Sequence, residues 1–269
     1  MRVTSALAVA ALASLCGCKD QINLGLEKYY WSADFETGDL SQWSKLSTFE
    51  PLVGGPPSST EAGPPNSFNG GQAKSTDAAN LTIANTPVHS GNFAVRSAIY
   101  ATGSVSFARL YRWGTLPQDA YYSVWMYIPT NYTIGSYWNL FEFQGRNDPA
   151  DPASQVYLWS LDITRRSDGQ LSWYVWDGLR SRQLNPAVST VAPIGRWFRV
   201  EAFMHQATDN SGDVKFWVDS VFLLESSGVS TVVNDWLSWV VGGAAPNITE
   251  QPAEVFLDDA AILRLGPGK

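Results

Sequence analysis

The chain has 269 residues, 45% of them hydrophobic and only 16% charged, with 12 Trp, 11 Tyr and 12 Phe. That balance excludes a disordered chain and suits one large all-β domain or two small ones. The formal charge of −7 and the lack of any basic run exclude a nucleic-acid partner.

Both cysteines, Cys16 and Cys18, follow Arg2 and an apolar run from Val3 to Leu15. The run is too short to span a bilayer and has the form of an export signal. Leu15-Cys16-Gly17-Cys18 resembles a bacterial lipobox, with a small residue ahead of Cys18, the cysteine expected to be acylated. Residues 1–17 then form a lipoprotein signal peptide, 18–28 a tether and 29–269 a single domain. The expected location is the bacterial cell envelope, with the membrane touched only through the lipid anchor. By resemblance to known lipoproteins, Lys19 after the cysteine favours the outer membrane.

Tyr29 to Trp43 reads as a strand that breaks at Glu36-Thr37-Gly38-Asp39. Residues 51–79 are dense in Gly, Pro, Ser and Asn and read as a long insertion, either a flap over one sheet or a disordered loop. Strand-like segments then recur at Phe93–Tyr100, Val105–Trp113, Ala120–Ile128, Trp138–Gln144, Gln155–Thr164 and Leu171–Trp176. A hairpin spans Trp197 to Glu225, turning at Asp209-Asn210-Ser211-Gly212-Asp213. Trp236–Val241 and Glu254–Leu265 complete the series. Many short strands separated by polar turns, without sustained helical periodicity, predict an all-β sandwich or jelly roll.

Side chains alternate between the two faces of a strand, so parity divides each segment. Phe198, Val200, Ala202 and Met204 share an apolar side, as do Val214, Phe216 and Val218. The opposite sides carry Arg199, Glu201, His205, Lys215 and Trp217. Tyr121, Trp125 and Tyr127 fall on the corresponding side of their strand, and Trp138, Glu142 and Gln144 on that of theirs. If these strands share a sheet, one face collects aromatics with carboxylates, amides and cations. Sugar rings stack on aromatics while such polar groups take their hydroxyls, so a polysaccharide is the expected partner. Trp125, Trp138, Glu142, Arg199, Glu201, Lys215 and Trp217 are the candidate substrate-binding residues. Packing of these aromatics under loops is the competing reading.

Four stretches carry a family resemblance: Phe35 to Trp43, Val88 to Arg96, Gly212 to Asp219, and Phe256-Leu257-Asp258-Asp259-Ala260-Ala261-Ile262. Together they resemble bacterial concanavalin A-like jelly rolls, sandwiches of two antiparallel sheets. The nearest types are polysaccharide lyases of the heparin lyase and glucuronan lyase kind and related non-catalytic carbohydrate-binding modules. In such modules these signatures surround a structural Ca²⁺. The resemblance assigns Glu36 with Asp258 or Asp259 as oxygen ligands, helped by backbone oxygen near Ser90–Asn92.

A lyase of this type removes the proton beside a uronate carboxylate and expels the 4-linked sugar. It needs a neutraliser, a base and an acid. By resemblance Gln144 neutralises, His89 or His205 abstracts, and Tyr127 or Tyr174 protonates. The chain departs from the family pattern at Trp236 to Gly243, where a Tyr and a nearby Lys are usual and neither occurs. The paired-carboxylate motif of laminarinase-like hydrolases, phosphate loops, nucleophile elbows and His/Cys metal spacings are absent. The primary expectation is a surface lipoprotein that binds polysaccharide on an aromatic concave face. A uronate-specific lyase and a non-catalytic adhesion or structural protein are the alternatives. The net negative charge favours binding over cleavage of an anionic glycan, although Arg96, Arg199 and Lys215 supply local positive charge.

Overall fold

Alternation of apolar and polar positions buries one side of each strand, and a sheet with one apolar side requires a second layer to cover it. The computed structural model describes residues 26–43, 69–77, 79–114, 116–187 and 190–265. The signal peptide, Cys18 and residues 51–68 of the insertion lie outside the described residues.

The strands, in chain order, are β1 (Leu26–Ala33), β2 (Asn69–Ser75), β3 (Ala79–Ala84), β4 (Ala94–Ile99), β5 (Thr102–Gly114), β6 (Asp119–Tyr127), β7 (Trp138–Arg146) and β8 (Gln155–Arg165). They continue as β9 (Leu171–Asp177), β10 (Arg182–Leu184), β11 (Trp197–His205), β12 (Gly212–Val218), β13 (Val221–Val229), β14 (Leu237–Asn247) and β15 (Ala253–Leu265). An eight-stranded sheet runs β13-β12-β11-β6-β15-β4-β3, with β1 also on β15. A seven-stranded sheet runs β10-β9-β8-β7-β14-β5-β2. All pairings are antiparallel. The all-β jelly-roll sandwich expected from the sequence is the fold observed.

The core lies between the sheets. Tyr122, Val124 and Met126 of β6, Phe198, Val200 and Met204 of β11, and Val214 and Phe216 of β12 are fully buried there, as parity predicts. Phe141 and Phe143 of β7, with Trp239 of the neighbouring β14, meet Tyr122 and Phe216 across the interface, with ring centroids 4.8–6.3 Å apart. Each such ring removes on the order of 150–250 Å² from water, which makes this cluster the main adhesive between the layers.

Three local readings change. β1 begins inside the stretch read as tether. The stretch read as one insertion contains β2, an edge strand on β5. Its glycines suggested a loop. However, a Cβ at Gly71 would lie 1.9 Å from the Trp43 carbonyl, so the small residue there answers a close approach of two backbones. The hairpin's second strand divides into β12 and β13 at Asp219-Ser220, both at positive φ (49° and 62°), a conformation Asp accepts more readily than most residues.

Candidate functional site

The sandwich has two outer faces, and the residues singled out from the sequence divide between them. On the eight-stranded sheet, β6, β11 and β12 turn Tyr121, Trp125, Tyr127, Arg199, Glu201, His205, Lys215 and Trp217 outward. Their charges are matched locally. Arg199 pairs with Glu201 at 3.2 Å, Lys215 with Asp213 at 3.0 Å and Glu225 at 3.2 Å, and His205 Nδ1 with Asp119 at 2.7 Å. The His89 ring stacks on Trp125 at 3.8 Å, and its Nδ1 meets Asp259 at 2.7 Å. The Tyr127 ring packs against Trp197 and Phe256.

β7 belongs to the other sheet. Glu142 and Gln144 therefore do not share a face with the hairpin, and Gln144 does not meet His89, His205 or Tyr127. Trp138 is a further correction. It is fully buried against Tyr132 and is closed to a sugar ring. The cause is a β-bulge between Asn139 and Phe141, which shifts parity midway along β7. Trp138, Leu140, Phe141 and Phe143 consequently enter the core, while Asn139 joins Glu142 on the outer face.

That outer face, on the seven-stranded sheet, is the richer site. The cross-strand register sets Gln144 beside Ser238 and Tyr157, and sets Ser238 in turn beside Trp113. One level along, Glu142 lies beside Val240 and Ser160, and Val240 beside Tyr111. On the floor, Arg109 donates to Glu142 at 2.7 Å and to Asn139 at 2.5 Å. A shallow open cleft is lined by residues that include Lys74, Tyr111, Gln144, Arg146, Trp236 and Ser238. Arg146 lies over the Trp236 ring at 4.2 Å, and Lys74 over Tyr111 at 5.4 Å. Gln72 Oε1 and Ser238 Oγ are buried on this face without a protein partner.

Burial shapes the acid–base character of the face. It pushes the Tyr111 hydroxyl up to about 12 despite the opposing charge of Arg109. Tyr157 is raised for the same reason, with Glu142 adding to the effect. Burial also raises Glu142, while the Arg109 guanidinium opposes the rise. Asp162, which takes hydrogen bonds from Ser160 and Tyr174, is pushed up to about 7 by burial and by the charge of Glu142.

Sequence reasoning missed Tyr111, Arg109, Tyr157 and Asp162. Arg109, Tyr111 and Trp113 alternate visibly along β5. A second shift of register, between Phe143 and Gln144 against β8, hides the relation of Tyr157 to Ser160 and Asp162.

This face of the sandwich thus brings together an amide, cations and phenols. Residues 35–259 match the family described as polysaccharide lyase. The chain belongs to the polysaccharide lyase family. Polysaccharide is accordingly what it acts on or binds.

Among solved structures, endo-β-1,4-glucuronan lyase from the fungus Trichoderma reesei aligns with a TM-score of 0.53 at 16% identity, covering 72% of this chain and 90% of that one. The cellulose-induced protein Cip1 aligns at 0.49 and 15% identity, covering 88% and 99%. A marine alginate lyase from Aplysia kurodai aligns at 0.44 and 15%, covering 68% and 87%. The glucuronan lyase likeness shows the shared sandwich. No curated protein matches the sequence.

The residues assigned to calcium are brought together, although by hydrogen bonds. A bulge in β15 between Asp258 and Ala261, with Asp259 at φ 44°, turns both aspartates toward the 89–93 turn. Asp258 Oδ2 accepts from the backbone N–H groups of His89 (2.9 Å) and Ser90 (3.3 Å). Asp259 accepts from the Ser90 hydroxyl. Glu36 accepts from the N–H groups of Asn92 and Phe93 and from the Asn92 amide, at 2.8–3.0 Å. Carboxylates facing N–H donors do not fit a Ca²⁺ cage, which requires oxygen ligands from every side. Among the described residues no group of three or more His, Cys, Asp or Glu is placed to hold a metal ion.

Proposed function

We propose that the protein is a lyase that cleaves a uronate-containing polysaccharide by β-elimination in the groove of the seven-stranded sheet. The observation that carries this reading is the convergence of Gln144, Tyr111, Tyr157, Lys74 and Arg146 on one face, where a neutraliser and two proton-transfer groups are available together.

The reaction removes H5, forms the C4–C5 double bond and breaks the bond from C4 to the leaving oxygen. Charge accumulates on the uronate carboxylate as the proton leaves. The Gln144 amide and the positive charge of Lys74 and Arg146 are suited to stabilise it in a low-dielectric cleft. Tyr111 remains protonated at neutral pH and is assigned to protonate the leaving oxygen. Tyr157, across the strand pair from Gln144 and 58% exposed, is assigned as base in its phenolate form. A chain with net charge −7 thus offers an anionic glycan a cleft with local cations. That answers the objection raised by its overall charge.

The test is the ultraviolet absorbance of the unsaturated uronate formed from uronan substrates, measured with the wild type and Tyr111→Phe. A loss of about 10²–10⁴-fold in the variant is expected for removal of a general acid. No rise with any uronan, combined with retained binding, would instead support the non-catalytic binding reading. The Tyr121–Phe203–Trp217–Phe222 ring cluster on the opposite sheet would then be the surface to examine.

Anchoring through Cys18 at the bacterial cell envelope, on the outer membrane, belongs to the same proposal. It is supported by the apolar run and the lipobox-like residues. Incorporation of labelled fatty acid by the wild type and not by Cys18→Ser is the corresponding test.

A further inference from the structure

The outer face of the eight-stranded sheet is apolar where a solvated antiparallel sheet is ordinarily polar. Tyr121 of β6, Phe203 of β11, Trp217 of β12 and Phe222 of β13 form a continuous row, with ring centroids 5.1–6.1 Å apart. At the free edge of the sheet, Phe222 is 52% exposed and the adjacent Val221 54%. The cations beside the row are matched within the chain. Arg199 and Lys215 hold the carboxylates described above, and Arg196 meets Asp219 at 2.7 Å. These pairs leave little to draw a polyanion or an anionic headgroup to this face. The rings also tilt against one another by 42–63°, so they do not form the parallel plates on which a row of sugar rings would stack. A bilayer interface asks only for apolar and aromatic area, with Trp and Tyr at headgroup level.

The start of β1 lies at the same end of this sheet. Leu26 pairs with Leu265, and the adjoining Arg264 pairs with Ala120, the neighbour of Tyr121. β1 is thus two strand spacings from β6, about 10 Å, and five from β13, about 24 Å. Leu26 comes eight positions after Cys18, a span of at most about 29 Å. A domain held on so short a lead by acyl chains at Cys18 has the aromatic row within reach of the lipid. The groove lies on the opposite outer face of the sandwich. With the row against the bilayer, the groove opens away from it, where a polymer can enter.

We propose that the outer face of the eight-stranded sheet rests on a zwitterionic lipid surface, with Phe222 and Val221 inserted at the β13 edge and Tyr121, Phe203 and Trp217 at headgroup level. This rests on the anchoring reading for Cys18. The face orients the anchored protein and plays no part in the chemistry of the groove.

The experiment places a nitroxide on Phe222→Cys and, separately, on Tyr157→Cys, whose native side chains are 52% and 58% exposed on opposite faces. The acylated protein is reconstituted in phosphatidylcholine vesicles, and each probe is read for access to oxygen and to a water-soluble nickel complex. The introduced thiol is the free one, because Cys16 leaves with the signal peptide and Cys18 is acylated. The expected result is a probe about 5–10 Å into the interface at 222, unchanged by added salt, and a probe in water at 157. Equal access of nickel to both positions overturns the proposal. So does a probe at 222 that stays in water with vesicles but is shielded by uncharged glucan oligosaccharides, which assigns the face to a glycan. Spin–spin broadening at 222 assigns it to a second copy of the chain and overturns the proposal equally. If mass analysis finds Cys18 without acyl chains, the anchoring reading falls. The probe at 222 is then read with Cys18→Ser in protein mixed with the same vesicles, where insertion supports the face and exclusion overturns it. Should Phe222→Cys fail to fold, Val221→Cys reads the same edge.

Discussion

Arg109 Nη1 donates to Glu142 Oε2 at 2.7 Å on the floor of the groove, with the two side chains 8% and 3% exposed. Removing one member of such a pair leaves the other charge buried and unmatched. Arg109→Met alone should therefore destabilise the fold by about 3–5 kcal/mol, while Arg109→Met with Glu142→Leu should recover much of that loss. Denaturant midpoints of the two singles and the double decide it. An additive double would show that the pair is not coupled.

The two phenols predict an alkaline activity profile. Tyr157 is raised above the ordinary phenol range and has to lose its proton to act, while Tyr111 keeps its proton up to about 12. Cleavage should rise with pH from neutrality and fall only where Tyr111 ionises. Tyr157→Phe should remove the rising limb along with most activity. His89→Ala and His205→Ala, on the opposite sheet, should leave the profile unchanged. A limb that titrates near the ordinary histidine range and is lost in either variant would return the base to a histidine.

Gly91 has φ +63°, and a Cβ there would lie 2.3 Å from the Glu36 carboxyl carbon. Gly91→Ala should displace that carboxylate from its three donors and cost about 2–4 kcal/mol, measured by the thermal midpoint. Because those donors already satisfy Glu36, chelation with EDTA should leave the wild-type midpoint unchanged. A fall that Ca²⁺ restores would establish a cation at this turn.

Asp258 titrates near 3.8 when unfolded and at about 7 when folded, because burial outweighs its backbone donors. Between those values the folded state holds a proton that the unfolded state has lost. Stability is thus greatest below about 4 as far as this group is concerned, declines as pH rises, and has lost the contribution above 7. The slope is at most about 1.4 kcal/mol per pH unit. Asp162 contributes in the same direction. Urea midpoints between these values should fall with pH, and Asp258→Asn should flatten the trend. A midpoint unaffected by that substitution would remove Asp258 as the cause.

Parity within a strand was enough to read the inner faces of β6, β11 and β12, because one buried side imposes a strict two-residue repeat. It also identified Glu142 and Gln144 as outward. It did not reveal that β7 pairs with β14 and β8 rather than with β6, since pairing between distant strands leaves no local trace. The bulge at Leu140 is equally silent: Leu140 and Phe141 are both apolar, so the stretch reads the same with or without an extra residue. Strict alternation therefore sets Trp138 on the outer face with Glu142 and Gln144, and groups that face with the hairpin's aromatic side.

The β15 strand is flanked on one side by β6 and on the other by β4 and then β1. A strand near the middle of the eight-stranded sheet therefore comes from residues 253–265, well over a hundred positions after β6. Until that segment arrives, β6 and β4 present open edges with no neighbour between them, and the 89–93 turn has Glu36 but lacks Asp258 and Asp259. Pairing β15 into this sheet has to gather a large loop first, a non-local closure whose entropy slows folding.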